Sequence, residues 1–276
     1  MRTETHAQFA PPAFDDGSLP GDLIGRAQIV QYEAVNDPTA GMRINKYLSE
    51  RGLCSRREAD SWITGGRVSI NGASATLGSK VLVGDTVQID GRTVGAETEH
   101  VYIALHKPVG VECTTDPRVP HNVVQFVAHR ERIFPIGRLD KNSEGLLLLT
   151  NDGDIVNELL RAAHGHEKEY LVTVDRPVTP EFLSAMANGV KILDRITAPC
   201  RVERIGKNVL RIVLTQGLNR QIRRMCEVYG YTVRRLIRVR FVNIVLQGLA
   251  PGHWRNLTRA ELSRLLPDRF GPKRRA

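Results

Sequence analysis

One carboxylate of this chain lies in a setting that suits chemistry. Asp140 follows Gly137, Arg138 and Leu139 in a glycine-flanked loop between two apolar segments. A carboxylate presented by such a loop can act as a nucleophile or as an acid–base group. Taken alone, an aspartate in this position is more often a turn or cap residue. Its role therefore depends on what the fold brings beside it.

A second motif places three arginines at the start of a predicted helix. In the run QGLNRQIRRM a glycine-led turn precedes Arg220, Arg223 and Arg224. Residues three and four apart share a helix face, so these arginines predict a strongly positive face. Ile222 and Met225 are expected to face the core. Such a cluster is typical of a site for an anion or for a buried acid.

Cysteine spacing and hydropathy exclude several classes of protein. Cys54, Cys113, Cys200 and Cys226 are widely spaced, with no CxxC pair, which argues against a zinc site and against a disulfide scaffold. No apolar run is long enough for a transmembrane helix, and the N-terminus has no apolar signal region. We therefore expect a reduced, cytoplasmic protein that binds no metal and no membrane.

The positive charge is concentrated in the last quarter of the chain. The net charge is +9, but residues 201–276 alone hold 18 basic and 4 acidic residues, or +14. Most of these basic residues are arginines, which match phosphates with two hydrogen bonds and stack on bases. This bias favours a nucleic-acid partner over a merely solvated basic face. Within it, the Arg-rich stretch 234–240 is a candidate phosphate track, although some of its arginines could instead pair with acidic residues of 144–169.

A large unit predicted over 100–267 must position these residues. Strand patterns cover 101–105, 146–150, 169–174, 209–214 and most of 233–245; helices are predicted over 154–163, 180–188 and 220–229. Asp154 is expected to cap the first of these helices. Tyr170 begins one of the strands and, taken alone, is predicted to belong to the core. The pattern is mixed α+β, with the helices expected on one side of the sheet.

A smaller module is predicted over 41–95. Its pattern is two short helices and a hairpin, with a capping box at Ser55 and Glu58 and an Asn71-Gly72 turn. The run RINKYLSERGLCSRREADSWITGGRVSINGASA resembles the RNA-binding domain first seen in the fourth protein of the small ribosomal subunit. The resemblance implies RNA contact by the module's basic residues, namely Arg43, Lys46, Arg51, Arg56 and Arg57. Outside both units, 1–40 is predicted to be a flexible acidic extension and 268–276 a loose basic tail.

The motifs of the large unit together resemble the pseudouridine synthases of the RsuA family. GRLDKNSEGLLLLTNDGD and GLNRQIRRM occur in order, about 80 residues apart, with KPVG upstream and KEYLV between them. The resemblance covers about 42–266 and lies closest to the family's branch that acts on large-subunit ribosomal RNA. It implies an α+β fold, in which the small module precedes a catalytic domain with a central, mostly antiparallel sheet.

The resemblance also implies a reaction and a set of roles. One uridine of an RNA, expected to be large-subunit ribosomal RNA, is isomerised to pseudouridine after its base leaves the stack, and no cofactor is needed. Asp140 is the implied catalytic carboxylate, Arg223 its cationic partner, and Tyr170 the aromatic residue that packs on the base. Further substrate contacts are implied for Arg138, which fills the gap left by the base, for Leu214 beneath the ring, and for Arg220 and Arg224.

Several alternatives stay open at this point. A ribosome-binding or assembly factor without turnover could keep this fold, although such a factor has no need of Asp140, Tyr170 and Arg223. A sugar-cleaving hydrolase would want a second carboxylate, for which Glu144 is the nearby candidate. Small-subunit ribosomal RNA and tRNA are alternative substrates. The motifs do not distinguish attack by Asp140 on the sugar from a glycal route, and a monomer is the default expectation.

Overall fold

A computed structural model describes residues 41–95, 98–160 and 165–272 of the chain. The predicted extension 1–40 lies outside the described residues, as do the last part of the helix predicted over 154–163 and the end of the predicted tail.

The first module contains two short helices and two small sheets. Its elements in chain order are β1 (Met42–Arg43), α1 (Ile44–Glu50), α2 (Arg56–Thr64), β2 (Val68–Ile70), β3 (Ala73–Ser74), β4 (Lys80–Val81), β5 (Val87–Ile89) and β6 (Arg92–Thr93). One sheet has the order β3-β2-β5-β6, and β1 pairs with β4 in the other. Ile44, Leu48 and Ile63 are buried between the helices and the strands.

Local signals start and stop these elements as the sequence predicts. The Ser55 side chain accepts a hydrogen bond from the Glu58 backbone, and the Glu58 side chain accepts one from the Ser55 backbone, which completes the capping box at α2. Asn71 and Gly72 have φ values of 51° and 83°. A two-residue hairpin turn of this type needs two such left-handed residues. Asn71 and Gly72 therefore connect β2 directly to β3.

The larger unit follows and contains all the remaining elements. They are β7 (Tyr102–Lys107), α3 (Val123–Val127), β8 (Phe134–Ile136), β9 (Glu144–Thr150), α4 (Gly153–Leu160), β10 (Lys168–Val174), α5 (Pro180–Ala187), β11 (Lys191–Ile192), β12 (Arg195–Ile196), β13 (Arg201–Gly206), β14 (Val209–Leu214), α6 (Gln221–Val228), β15 (Val233–Phe241), β16 (Ile244–Val245), β17 (Trp254–Asn256), α7 (Arg259–Leu265) and α8 (Pro267–Phe270).

A nine-stranded, mostly antiparallel sheet forms the centre of this unit. Its main path is β13-β14-β10-β15-β9-β7-β17, with β16 on β15 and β8 on β9. Of these pairings, β15 with β9 is parallel and the others are antiparallel. The parallel pair brings Arg238 beside Gly145. Strand β9, which follows Asp140 in the chain, and the Arg-rich strand β15 therefore lie side by side in the middle of the sheet.

The leucine run of β9 explains why both faces of the sheet are covered. Leu146 and Leu148 pack with Ile155 of α4, whereas Leu147 and Leu149 pack with residues of α3 and β7. Because side chains alternate along a strand, a continuous apolar run is buried on both faces. The expectation that all helices lie on one side of the sheet is therefore wrong, since α3 and α4 lie on opposite faces.

Two predicted helix ends also differ from the structure. Asp152 Oδ1, and not Asp154, accepts the capping hydrogen bond, from Asp154 N at 3.0 Å. The predicted loose tail begins in helix α8. This helix packs against Tyr102, because the ring of Phe270 meets the Tyr102 ring edge-on, with 5.3 Å between the ring centroids. Arg269 forms an ion pair with Glu158 at 3.0 Å, which fixes the same segment. No helix among the described residues is long and apolar enough to cross a membrane.

Candidate active site

A cleft of about 890 Å³ opens beside the middle of the large sheet. Its lining comes from the loop after β7, the loop after β8, the starts of β10 and α6, the end of β14 and the middle of β15. Asp140, Arg138, Tyr170, Leu214 and Arg220 all line it. The structure therefore brings together five predicted site residues that lie as far as 82 positions apart in the sequence.

Backbone contacts hold the loop that carries Asp140. The Asp140 carbonyl accepts a hydrogen bond from Ser143 N at 3.0 Å, and Lys141 O accepts one from Gly110 N at 2.8 Å. Leu139 N donates to Cys113 Sγ at 3.3 Å. The Asp140 side chain itself is one-third exposed and faces the cleft. The loop is thus fixed while its carboxylate stays accessible.

Arg223 is the cation nearest to that carboxylate. Its guanidinium is buried and donates to Asn142 O at 2.8 Å, to Ser143 Oγ at 3.2 Å and to Val233 O at 3.3 Å. Its Nε lies 4.0 Å from Asp140 Oδ2 and has no hydrogen-bond partner among the described residues. The guanidinium is therefore fixed by three protein oxygens, with its Nε directed toward the Asp140 carboxylate.

Burial alone would disfavour the charge of Arg223. Burial and the neighbouring charge of Arg220 lower the pKa of the Arg223 guanidinium, whereas Asp140 acts in the opposite direction. An arginine starts from so high a pKa that it stays protonated in proteins. Arg223 therefore supplies a permanent positive charge behind Asp140.

The aromatic and apolar candidates form one wall of the cleft. Leu214 is buried at the end of β14, and Tyr170 is half-buried two residues into β10. Tyr170 packs against two apolar clusters, one of which contains Leu214 and the other Leu139. Its backbone lies opposite Ile212 on one neighbouring strand and Arg238 on the other. A flat ring on a rigid strand suits contact with the face of a base.

The three arginines at the start of α6 do not form a single exposed face. Arg223 is buried, and Arg224 turns back to donate to the backbone and side chain of Asn219. Arg220 is the residue before the helix and adopts a left-handed conformation with φ of 50°. The prediction of one positive helix face is therefore wrong, because the helix packs by the side that carries Arg223. Ile222 and Met225 do face the core, as expected.

The module's basic residues differ in their surroundings. Arg56 and Arg57 are exposed in the first turn of α2, and Arg43 is exposed before α1. Arg51 stacks over Tyr47, with its Cζ 3.5 Å from the ring centroid. None of these residues lines the cleft.

Lys46, predicted to contact RNA, is committed elsewhere. Its ammonium pairs with Glu50 at 3.2 Å and with Asp154 at 2.8 Å. Burial opposes its charge, but the hydrogen bond to Asp154 and both carboxylates outweigh burial and raise the pKa of Lys46. Lys46 therefore joins the small module to helix α4, and the prediction that it is a free RNA contact is not supported.

Two of the arginines predicted as a phosphate track form ion pairs with glutamates instead. Arg235 pairs with Glu144, and Arg240 pairs with Glu167 and Glu169 at 3.0 and 2.8 Å. These are the structural pairs with acidic residues that the sequence left open. Glu144, the candidate second carboxylate of a hydrolase, is thereby held by Arg235 and does not line the cleft.

Two buried cations near Asp140 or in the cleft were not singled out by the sequence pattern. Lys107 ends strand β7 and is fully buried, and its Nζ donates to Pro108 O and Val111 O at 2.8 Å each. Burial lowers the pKa of Lys107, while the charges of Cys113 and Asp140 partly offset this. The KPVG motif carried this signal. Arg238 belongs to the Arg-rich stretch 234–240, the candidate phosphate track, and is buried beneath the cleft.

The composition of the cleft bears on metal binding. Across residues 41–95, 98–160 and 165–272, no group of three or more His, Cys, Asp or Glu side chains is placed to hold a metal ion. The charged and aromatic groups of the cleft include the Asp140 carboxylate with Arg223 beside it, the carboxylates of Glu112 and Asp116 nearer the loop after β7, the Tyr170 ring and further cations.

Comparisons with known proteins identify two family models and several related chains that match this one. The model of the RNA pseudouridylate synthase family matches residues 101–228, and the S4 domain model matches residues 42–87. The dual-specificity RNA pseudouridine synthase RluF of Escherichia coli K12 is 53% identical over 227 residues, covering 82% of this chain and 78% of RluF.

Two further relatives extend the comparison. Ribosomal large subunit pseudouridine synthase B of Bacillus subtilis is 35% identical over 232 residues, which is 81% of this chain and 95% of that protein. A crystal structure of a pseudouridylate synthase superposes with a TM-score of 0.59 at 28% identity, covering 82% of this chain and all of that one.

Proposed function

Because the chain belongs to the RNA pseudouridine synthases, we propose that it isomerises one uridine of large-subunit ribosomal RNA, with Asp140 as the catalytic carboxylate. The observation that carries this proposal is the placement of Asp140, 4.0 Å from the buried Arg223 and in the cleft lined by Tyr170 and Leu214. An accessible carboxylate with a fixed cation behind it is suited to attack a sugar carbon.

The reaction is an internal rearrangement, so its atoms balance without a second substrate. The N1–C1′ bond of the uridine breaks, and its electron pair stays with the uracil ring. In the direct route an Asp140 oxygen bonds to C1′, and this ester bond breaks again when C5 attacks C1′. In the glycal route the sugar instead loses a proton from C2′, and this proton returns to C2′ when C5 bonds to C1′. The ring turns, C5 bonds to C1′, the C5 proton leaves and N1 gains a proton. Neither route needs a redox cofactor.

The base must leave its stack to reach Asp140. Unstacking costs about a few kcal/mol, which contacts in a protein pocket must offset. Tyr170 offers a ring face and Leu214 an apolar surface inside the cleft. The exposed Arg138, two residues before Asp140, would fill the vacated position in the RNA. Arg220, which also lines the cleft, would contact phosphates.

Large-subunit ribosomal RNA is the substrate that the relatives favour. The name of the Bacillus subtilis relative specifies the large ribosomal subunit, and the Escherichia coli relative is named dual-specificity. That second name is a reason to test tRNA beside ribosomal RNA. The exposed Arg56 and Arg57 of the small module would add sequence-independent contacts to structured RNA. A cytoplasmic monomer is consistent with this role and stays a prediction.

Tritium release tests the proposal directly. Large-subunit RNA, small-subunit RNA and tRNA are labelled with tritium at uracil C5 and incubated with the native protein or with Asp140→Ala. We expect release from large-subunit RNA by the native protein, and a loss of about 10⁴-fold or more in Asp140→Ala, as when a nucleophile is removed. Asp140→Asn should bind RNA normally, which separates catalysis from binding.

The outcomes of this assay separate the alternatives. Release by both proteins would keep the reaction but overturn the assignment of Asp140. Release from tRNA or small-subunit RNA alone would correct the substrate. If no RNA, free or in ribosomal particles, releases tritium, a binding or assembly factor becomes the better interpretation. Free uracil among the products would instead indicate a hydrolase.

A further inference from the structure

Arg238 is a buried cation whose bonding is incomplete. It is only 4% exposed, and its Nε donates to Leu146 O at 2.7 Å. Its Nη1 and Nη2 make no hydrogen bond or ion pair with any described residue, and Arg238 lines the cleft. A guanidinium offers five donors, and leaving a buried charge without partners is costly. Such donors at the floor of a cleft indicate a ligand that supplies oxygens.

The backbone holds this guanidinium at a defined place. Arg238 lies opposite Gly145 on one neighbouring strand and opposite Tyr170 on the other. A Cβ atom at residue 145 would overlap the Arg238 carbonyl, so only glycine allows the two strands to lie so close. Arg238 is thus fixed between the strand that follows the Asp140 loop and the strand that carries Tyr170.

A second cation lies on the same face. Lys168 precedes Tyr170 by two residues and also lines the cleft, and its Nζ donates to His166 O and Thr215 O at 3.2 Å each. Burial and the charge of Arg238 lower the pKa of Lys168. Among the described residues, no carboxylate forms an ion pair with either side chain. By contrast, the buried Arg223, which lies behind the cleft lining, faces Asp140.

We propose that Arg238, supported by Lys168, binds the carbonyl oxygens of the target uracil and stabilises the negative charge of the detached ring. This inference rests on the proposed isomerisation. When the N1–C1′ bond breaks, the electron pair left on N1 is delocalised onto O2 and O4 of the ring. The charge disappears when C5 bonds to C1′, the C5 proton leaves and N1 is protonated. Cations already in place for a transient charge accelerate a reaction strongly.

The proposal predicts an effect on turnover more than on binding. An interaction that is strongest with the detached ring lowers the barrier, whereas it contributes little to the binding of a neutral uridine. A contact with a backbone phosphate would behave differently, because it would be equal in the ground state and in the transition state. The ratio of effects on kcat and KM therefore distinguishes the two ligands.

The first test compares Arg238→Met, Arg238→Lys and a control. Arg211→Met is the matched control, because Arg211 lies on the neighbouring strand β14, is exposed and lies outside the cleft lining. With tritium-labelled large-subunit RNA we expect Arg238→Met to lower kcat by about 10²-fold, with KM changed by less than about two-fold. Arg238→Lys should restore part of the rate, and Arg211→Met should retain the native rate. Thermal unfolding shows that each variant is folded.

A substrate variant keeps the proposal testable if Arg238→Met does not fold. Sulfur accepts hydrogen bonds poorly, so the mapped target uridine is replaced by 2-thiouridine or 4-thiouridine in a synthetic RNA. Replacing the oxygen that Arg238 contacts should lower the rate of the native enzyme. The same replacement should lower the rate of Arg238→Lys much less, so that the effects of the two changes are not additive. Additive effects of both thio-substitutions, or a changed KM with unchanged kcat, would overturn the proposal. No tritium release by the native protein would overturn the proposed function, and this inference with it.

Discussion

The arginines of the small module and those of the cleft have opposite surroundings. Arg56 and Arg57 project from the first turn of α2 into solvent. Arg223 and Arg238 are buried, and each donates to backbone carbonyls of a different segment of chain. The same residue type thus supplies solvent-exposed charge in one region and fixed, buried charge in the other.

This difference has measurable consequences. Exposed charges are screened by salt within about 10 Å at 0.1 M ionic strength, so their effects are small, additive and dependent on salt. Buried charges are screened much less by salt, and hydrogen bonds to the backbone offset part of the free-energy cost of burying them. Changes in the cleft should therefore alter the rate by large factors at any salt, whereas changes in the module should alter affinity by small factors at low salt.

Among changes to the arginines of the two regions, the largest effect is expected for Arg223→Met. Asp140 loses its neighbouring cation, and the carbonyl of Asn142 loses a buried donor. We expect kcat to fall by about 10²- to 10³-fold, as when one electrostatic group of an active site is removed. Tritium release at 50 mM and 300 mM salt measures this. Arg223→Lys is the companion variant, and an equal rate in Arg223→Met and native protein would show that Asp140 needs no partner.

A second large effect is expected for Gly145→Ala. Gly145 has φ of 109°, and a Cβ there would overlap the Arg238 backbone. We expect a loss of about 3 kcal/mol in the free energy of unfolding, from steric overlap and backbone strain together. Gly72→Ala is the control in the module, because Gly72 also has positive φ but has open space around it. That control should cost only about 1 kcal/mol; equal losses in urea unfolding would mean that the strands can separate.

A smaller effect is expected in the module itself. The double variant with Arg56→Met and Arg57→Met should weaken RNA binding by about ten-fold at 0.1 M salt and flatten the dependence of log K on log salt by about 1 to 2. The rate at saturating RNA should not change, since neither residue lines the cleft. Filter binding over a salt series measures both quantities. If the double variant bound RNA with native affinity but had an altered rate at saturating RNA, helix α2 would not contribute to RNA binding as predicted.

The smallest effect concerns the ion pair between the two regions. A double-mutant cycle of Lys46→Met and Asp154→Asn should give a coupling of about 0.5 kcal/mol, because the pair is partly exposed. The coupling should shrink in 1 M salt. Urea unfolding of the four proteins measures it. A coupling above about 2 kcal/mol would show that Lys46 is a principal link between the module and the catalytic unit.

Features set by neighbours in sequence were predictable. The capping box at α2, the Asn71-Gly72 turn, the bounds of β14 and the core face of α6 all depend on residues within a few positions of each other. The bounds of α5 differ from the prediction by one residue at the C-terminal end. Local sterics, capping and hydrophobic periodicity act within one element, so the sequence displays them.

The chemical motifs were equally visible, as side-chain types in a recognisable order. Asp140, Tyr170, Leu214 and Arg223 are candidates on sequence alone. The fold brings the first three to one cleft and places Arg223 4.0 Å from Asp140. Their actual roles stay with the proposed reaction. What the motifs did not show was which of several arginines would be buried.

That choice belongs to the tertiary structure. Arg238 is buried because the parallel pairing of β15 with β9 places it beside Leu146, 92 residues away in the chain. Lys46, predicted to contact RNA, instead forms a hydrogen bond and ion pair with Asp154, which is 108 residues away in the chain. By itself the sequence determined the elements, the turns and the reactive side chains. Which charges are buried, paired or left free was decided only by strand register and by contacts between distant segments, because a local pattern carries no information about its distant partner.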